Sequence, residues 1–215
     1  MAGKRIVIVG GGYTGCALAI QLADAAPVPL DITLIEPRSR LGAGFAYDVD
    51  DPDHRLNAPT AVHFLSPDRA DEFLGWFEAS GGPERDPEAL DEDGGIYARR
   101  EDFGRYVAET TAEWIKTNPS GSTIRHLRDR AVDLEARPDG FDVLTEGGER
   151  LAGDLLIVAT GNRKPLAPPQ PFRDLEGHPG FIMDPWDTAR LRAIPESHRV
   201  LLLGTALTTA DVIAT

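Results

Sequence analysis

The sequence holds 215 residues, 41% of them apolar, with 22 basic against 35 acidic side chains and a formal charge of −13. That is enough apolar material for one large domain with a real core, or for one and a half. The negative balance disfavours nucleic acid and anionic membrane surfaces as partners. The single cysteine, Cys16, excludes a disulfide framework and Cys-x-x-C redox chemistry. No run approaches the about 18 apolar residues of a membrane span, and the apolar segment after Arg5 is too short for a signal peptide. A cytoplasmic protein acting on a small molecule is expected.

The β-branched run Ile6 to Val9 enters a glycine turn in which Gly10, Gly12 and Gly15 fit G-x-G-x-x-G, with Gly11, Tyr13 and Thr14 between them. A helical pattern follows through Ala17, Leu18, Ile20, Gln21 and Leu22, then a second apolar run ending in Glu36. Strand, turn, helix, strand and acid form a unit that suits a dinucleotide. Gly10 allows the tight turn, Gly12 lets a pyrophosphate approach the backbone, and Gly15 lets the helix pack on the strand. The helix N-terminus offers free N–H groups and a positive dipole end to phosphates. Glu36, about 20 residues on, can accept both hydroxyls of an adenosine ribose. An acid at that place argues against a 2′-phosphate, which leaves FAD or NAD(H) rather than NADP(H). Pro37 and Arg38 follow at the same edge, and Arg38 can reach the ribose or a phosphate, or lie on the surface.

Residues 37–70 are rich in Gly, Pro, Asp and Arg and read as loops over a ligand. Ala70 to Ala79 predicts a short helix with Phe73, Leu74, Trp76 and Phe77 on its buried side. Residues 80–95 form an acidic surface loop, a solvated face rather than a metal site. Arg100 to Lys116 predicts a helix, with Phe103, Tyr106, Val107, Thr110 and Trp114 at helical spacing. Val132 to Leu134, Phe141 to Thr145 and Glu149 to Leu151 predict a β-meander, turned at Pro138-Asp139-Gly140 and Glu146-Gly147-Gly148. Asp154 to Gly161 reads as a buried parallel strand closed by Ala159, Thr160 and Gly161. Residues 165–171 are proline-rich and stiff, as in a crossover. Arg199 to Gly204 predicts another buried strand entering a glycine turn, with a helical pattern through Thr208, Thr209, Ala210, Val212 and Ile213. Here Ala206 and Thr209 stand where the second and third glycines of the fingerprint would be.

A strand, a meander and a strand ending in Ala159-Thr160-Gly161 resemble the FAD domain of the glutathione-reductase-like flavoproteins. Gly42 to Tyr47, His54 to Pro59, Phe73 to Trp76, Arg100 to Tyr106 and Leu203 to Asp211, in that order, resemble the bacterial FAD/NAD(P)-binding proteins. Those are distant relatives of flavin-containing and N-hydroxylating monooxygenases. The resemblance implies an α/β, Rossmann-like FAD-binding domain with a parallel sheet, a three-stranded β-meander and helical and loop insertions. It implies a domain over 1–198 and the truncated start of a second, NAD(P)-binding-like Rossmann unit over 199–215. It places the Ala159-Thr160-Gly161 strand end near the flavin pyrophosphate and a backbone contact to adenine at Val132. NAD(P)H is expected at the second unit in the full-length protein; Ala206 adds a methyl where its pyrophosphate would approach.

Flavin chemistry needs few protein acids or bases, and no catalytic residue or metal ligand is assigned. The five histidines, His54, His63, His126, His178 and His198, show no metal-pair spacing. His63 falls in the segment expected near the flavin ring, as a base, a ring contact or a satisfied loop histidine. Asn57 is the better candidate there, either bridging a ring acceptor or making an Asx-turn into Pro59. Arg100 supports the flavin region, binds a substrate anion, or is an exposed helix-cap arginine. Cys16 reads as a small packing residue in the first helical turn. Two functional readings stand: the N-terminal part of an FAD-dependent, monooxygenase-like oxidoreductase, or a non-catalytic module that binds FAD or another nucleotide.

Overall fold

Four parallel strands carry the molecule, in the order β3 (Thr123–Leu127), β2 (Asp31–Ile35), β1 (Arg5–Val9), β7 (Leu155–Val158). The computed structural model describes residues 3–49, 51–162 and 170–215. β1 lies at the centre, in register with β2 from Arg5 opposite Asp31 to Val9 opposite Ile35, and with β7 from Ile6 opposite Leu155 to Val9 opposite Val158. Alternation along β1 separates two cores, as period-two geometry requires. Ile6 and Ile8 join the cluster formed with helices α1 (Tyr13–Ala25) and α4 (Arg100–Lys116), whereas Val7 packs with Val143 and Leu151 on the other face. Those two belong to the antiparallel meander β4 (Ala131–Arg137), β5 (Gly140–Thr145), β6 (Arg150–Gly153). The sheet is thus covered on both sides at β1 and β2, which read as apolar runs; β7, expected to be buried, is an edge strand that leaves Leu155 and Val158 exposed.

α1 crosses from β1 to β2 and buries Gly15, Cys16, Ala17, Ala19, Ile20 and Ala23. Its small residues let it sit close to the sheet. Between β2 and β3 come α2 (Glu72–Ala79), a short turn of helix α3 (Gly82–Arg85) and α4. α2 begins two residues later than the sequence predicts, because Pro67–Arg69 form a separate 3₁₀ turn. On α2, Phe73 and Phe77 are buried, while Leu74 and Trp76 are only half-buried. Phe73 and Phe103 meet edge-to-face at 4.9 Å, and Tyr13 and Tyr47 approach Phe103 at 5.4 and 4.8 Å. This aromatic knot fastens the loops of residues 42–65 to α1 and α4. α4 spans the expected Arg100–Lys116, with Glu101 and Asp102 in its first turn and Lys116 in its last, each suited to the helix dipole. β4 extends to Arg137, beyond the expected Leu134, and carries an irregularity between Ala131 and Asp133.

The C-terminal part departs from the sequence reading. Residues 165–169 of the proline-rich segment lie outside the described residues. A 3₁₀ turn (Phe172–Leu175) and two helices, α5 (Thr188–Arg192) and α6 (Leu207–Ala214), follow. The buried strand expected at Arg199 to Gly204 is not formed. Val200, Leu201 and Leu203 are exposed, Leu201 to 82%, and the sheet does not include the segment. A parallel strand needs a neighbour to satisfy its backbone, and none of the described residues offers one there.

Candidate functional site

The glycine turn, the acid and the closing strand converge at the C-terminal end of the sheet. Gly10 has a φ of +108°, and a Cβ there would stand 2.2 Å from the Ala159 carbonyl oxygen. Only glycine lets the end of β1 lie against the end of β7. Gly15 is equally constrained, since a Cβ would come 1.9 Å from the Gly10 oxygen. α1 therefore starts directly above β1, with Gly12 as its N-cap in extended conformation and no side chain capping it. The first N–H groups of a helix have no acceptor within it; those at Tyr13 and Thr14 belong to this end. Thr14, Thr160 and Gly161 are exposed, and Gly12 and Tyr13 partly so.

Glu36 closes the site on the β2 side. It is 3% exposed. Its Oε2 accepts from the Gly11 N–H at 3.0 Å and from Arg38 Nη2 at 3.1 Å; its Oε1 accepts from the Arg38 N–H at 3.0 Å and from Nε at 2.8 Å. Burial opposes the charge, but the hydrogen bonds from Arg38 and Gly11 outweigh it and hold the carboxyl below the ordinary glutamate range. Four donors fill about as many acceptor places as a carboxylate has. Ribose hydroxyls can enter only where the Arg38 side chain gives way, and at 41% exposure that side chain has room to move. Arg38 is thus a carboxylate partner rather than a free surface arginine. Pro37, exposed beside it, accepts a long hydrogen bond from Arg128 Nε at 3.5 Å. The Leu127 carbonyl accepts from the Glu36 N–H at 3.1 Å, and five residues on, Val132 stands exposed in β4.

Gly42 to Tyr47, expected only as part of the loops over a ligand, lies directly over the glycine turn. The Gly42 N–H donates to the Gly11 oxygen at 2.8 Å, and a Cβ on Gly12 would lie 3.1 Å from the Gly44 Cα. Gly42 and Gly44 themselves have φ of +98° and +60°. The Gly-x-Gly spacing six residues after Glu36 is the signal that could have found this second strip of backbone over the turn. Gly10 to Gly15, Glu36, Arg38, Gly42 to Gly44 and Ala159 to Gly161 thus form one cradle, built mostly of backbone with the Glu36–Arg38 pair at one end. That is the surface a pyrophosphate and ribose need, so the residues present fit a dinucleotide.

Asn57 stands elsewhere, on the loop that runs past α4. Its Oδ1 accepts from Arg100 Nη2 at 2.9 Å. Of the three readings of Arg100, the exposed cap does not hold; its side chain is 7% exposed and pairs with Asp211. The distance along the sequence between these partners hid the pair. His63 Nδ1–H donates to the Pro59 carbonyl oxygen, 3.0 Å away, and the ring stands edge-on to Phe103, a satisfied loop histidine. His126 Nε2 donates to the Glu36 carbonyl at 2.9 Å. Cys16 is fully buried and bonds the Gly11 oxygen; burial pushes its thiol up to about 12. No metal-holding cluster occurs among the described residues, and no described helix is long and apolar enough to cross a membrane.

A family model described as FAD-NAD(P)-binding matches residues 7–163. No curated protein matches the chain. Among solved structures it is similar to the flavin-containing monooxygenase from Stenotrophomonas maltophilia, 16% identical over 79% of this chain and 42% of that one, with a TM-score of 0.50. A double variant of that enzyme aligns over the same shares at 16% identity and a TM-score of 0.52. The complex of OTEMO with FAD and NADP is 18% identical over 79% and 28% of the two chains, with a TM-score of 0.48. At such identities the likeness is one of fold. The chain spans less than half the length of these relatives.

Proposed function

The chain belongs to the FAD-NAD(P)-binding family, and from that premise we propose that it binds FAD and forms the N-terminal part of an NAD(P)H-linked, monooxygenase-like oxidoreductase. The observation that carries this reading is the seating of Gly10 on the Ala159 carbonyl, with Gly11 bonded to Glu36. The turn, the ribose acid and the closing strand meet in one place. The glycine turn and the N-terminus of α1 take the pyrophosphate, Glu36 takes the adenosine ribose, and the Val132 backbone takes adenine. The exposed Ala159-Thr160-Gly161 end lies beside the phosphates. Flavin, when bound, supplies hydride acceptance and, once reduced, reaction with oxygen. The Arg38 side chain would have to yield the Glu36 carboxylate to ribose hydroxyls, and the aromatic knot of Tyr13, Tyr47 and Phe103 walls off water on the α4 side.

Residues 199–215 are the start of a second Rossmann unit in this reading. The backbone supports it: Gly204 has a φ of +125° against +108° at Gly10, and Ala206 has φ −86° and ψ −178° against −75° and −169° at Gly12. Thr209 replaces Gly15 because its Oγ1 bonds the Gly204 oxygen at 2.9 Å rather than crowding it. A side chain at 206 is therefore compatible with the turn. NAD(P)H, the substrate and the reaction belong to the longer protein.

The test is reconstitution of the purified chain with FAD, denaturation and chromatography of what is released. Stoichiometric FAD is expected. Binding of NADH in its place, with no FAD retained, would refute the reading. FAD that is held but never reduced by NADH or NADPH in the full-length protein favours a non-catalytic binding module.

A further inference from the structure

One guanidinium joins two places that lie far apart in sequence. Arg100 opens α4, and its Nη1 and Nη2 reach the two oxygens of Asp211 at 2.8 and 2.9 Å. Nη2 also donates to Asn57 Oδ1, and Nε donates to the Arg55 carbonyl, both at 2.9 Å. A two-pronged arginine–carboxylate bond fixes angle as well as distance. Burial makes it costly to lose one partner and leave the other charged and alone.

Asp211 lies on α6, which follows the turn Gly204 to Ala206. No residue of α6 is buried, and Leu207 and Ile213 are exposed, so apolar packing does not dock this helix. Polar bonds do. His54, 2% exposed, meets Thr215 Oγ1 through Nε2 at 2.9 Å, and the Thr215 hydroxyl donates to the Asp211 carbonyl at 3.0 Å. The His54 carbonyl in turn accepts the Arg100 N–H at 2.9 Å. Trp186 completes the contact, with its ring 5.9 Å from the Arg100 guanidinium and edge-on to His54.

We propose that Arg100 is a positioning residue that locks the Asn57 loop to the second glycine turn through Asp211, so that the two keep one relative position. This rests on the reading of Asn57 as a neighbour of the flavin ring. Lysine cannot grip Asp211 and Asn57 with the same planar fork, and asparagine at 211 removes the charge that the fork answers.

The experiment uses the FAD-reconstituted chain with Arg100→Lys, Asp211→Asn, the double variant and Asn57→Ala. Two quantities are read: amide exchange along 207–214 and the shape of the visible absorption band of bound flavin. Each clamp variant is expected to speed exchange in α6 by roughly a hundredfold and to alter the flavin band. The double variant should do no more than either single one, because both remove the same bond. Asn57→Ala should alter the band and leave α6 exchange unchanged. Faster exchange with an unchanged flavin band would reduce Arg100 to an anchor and overturn the coupling. Unchanged exchange would overturn the clamp itself. A parent chain that takes up no FAD fails before any variant is made and overturns the proposed function together with this inference.

Discussion

The chain contains nearly the same local design twice, and the two copies fare differently. Ile6 to Val9 with Gly10 and α1 forms the centre of the sheet; Val200 to Leu203 with Gly204 and α6 lies on the surface. Both turn through a positive-φ glycine and start a helix from an extended N-cap. The difference is in neighbours. β1 is flanked by β2 and β7 and covered on both faces, whereas among the described residues 170–215 none is buried. Apolar packing holds the first copy. Ion pairs and hydrogen bonds hold the second, among them Arg192 to Asp51 at 3.0 Å. A strand–glycine–helix pattern therefore specifies the turn, but a strand exists only where another strand receives its hydrogen bonds.

The sharpest way to break this contrast is to cut equal apolar volume from each copy. Ile8→Ala should cost about 2–5 kcal/mol in chemical denaturation, the usual range for emptying a core site. Leu201→Ala should stay within about 0.5 kcal/mol of the parent, as exposed positions do. A large loss at Leu201 would mean that the segment is packed in solution. A second comparison isolates the turns. Gly10→Ala meets a backbone oxygen as well as an unfavourable φ and should lose about 3 kcal/mol. Gly204→Ala meets the same unfavourable φ, here +125°, but its nearest neighbour, Thr209 Oγ1, is 3.8 Å away, and it should cost less, about 1 kcal/mol. Equal effects would dissolve the difference between the copies.

A smaller effect is expected at Glu36, the proposed ribose partner. Glu36→Ala should weaken FAD binding by about 1–3 kcal/mol, the cost of unpaired buried groups, with Glu36→Gln losing less; titration by flavin fluorescence decides it. Unaltered affinity would take Glu36 out of the site. The smallest effect is the pH response of the FAD-free chain. The folded carboxyl of Glu36 titrates below its unfolded value, so its contribution is present above the ordinary glutamate pKa of about 4.3. It is lost as pH falls from there through the folded pKa. Denaturation midpoints of Glu36→Gln should therefore fall less steeply than those of the parent across that acid window, and parallel curves would contradict the Arg38 and Gly11 bonds.

The first βαβ unit was legible because each residue type there answers a backbone need: positive φ at Gly10, a bare Cα at Gly15, an acid at Glu36. α4 was legible from Phe103, Tyr106 and Val107 at helical spacing, and the meander from its turns. The Arg100–Asp211 pair was not, since 111 positions separate the partners and each residue alone reads as surface. Nor was the strip Gly42 to Gly44 over Gly12, because a loop's path depends on which packed surface it crosses. α2 shows the same limit: Trp76, expected on the buried side with Phe73 and Phe77, is half-buried and its indole N–H donates to Glu109 Oε2 at 2.8 Å.

Cys16 gives the molecule a built-in reporter. It is the only thiol in 215 residues, lies fully buried under Gly11, and is held protonated by its surroundings. Thiolate, not thiol, reacts with alkylating and disulfide reagents, so the folded chain is chemically silent to them. Labelling then proceeds only through openings that lift α1 off the sheet, and its rate under mild conditions counts those openings directly. Release of the 199–215 segment leaves α1 seated and Cys16 unlabelled. One residue thus separates, in a single test tube, the breathing of the cradle from the detachment of its polar-bound tail.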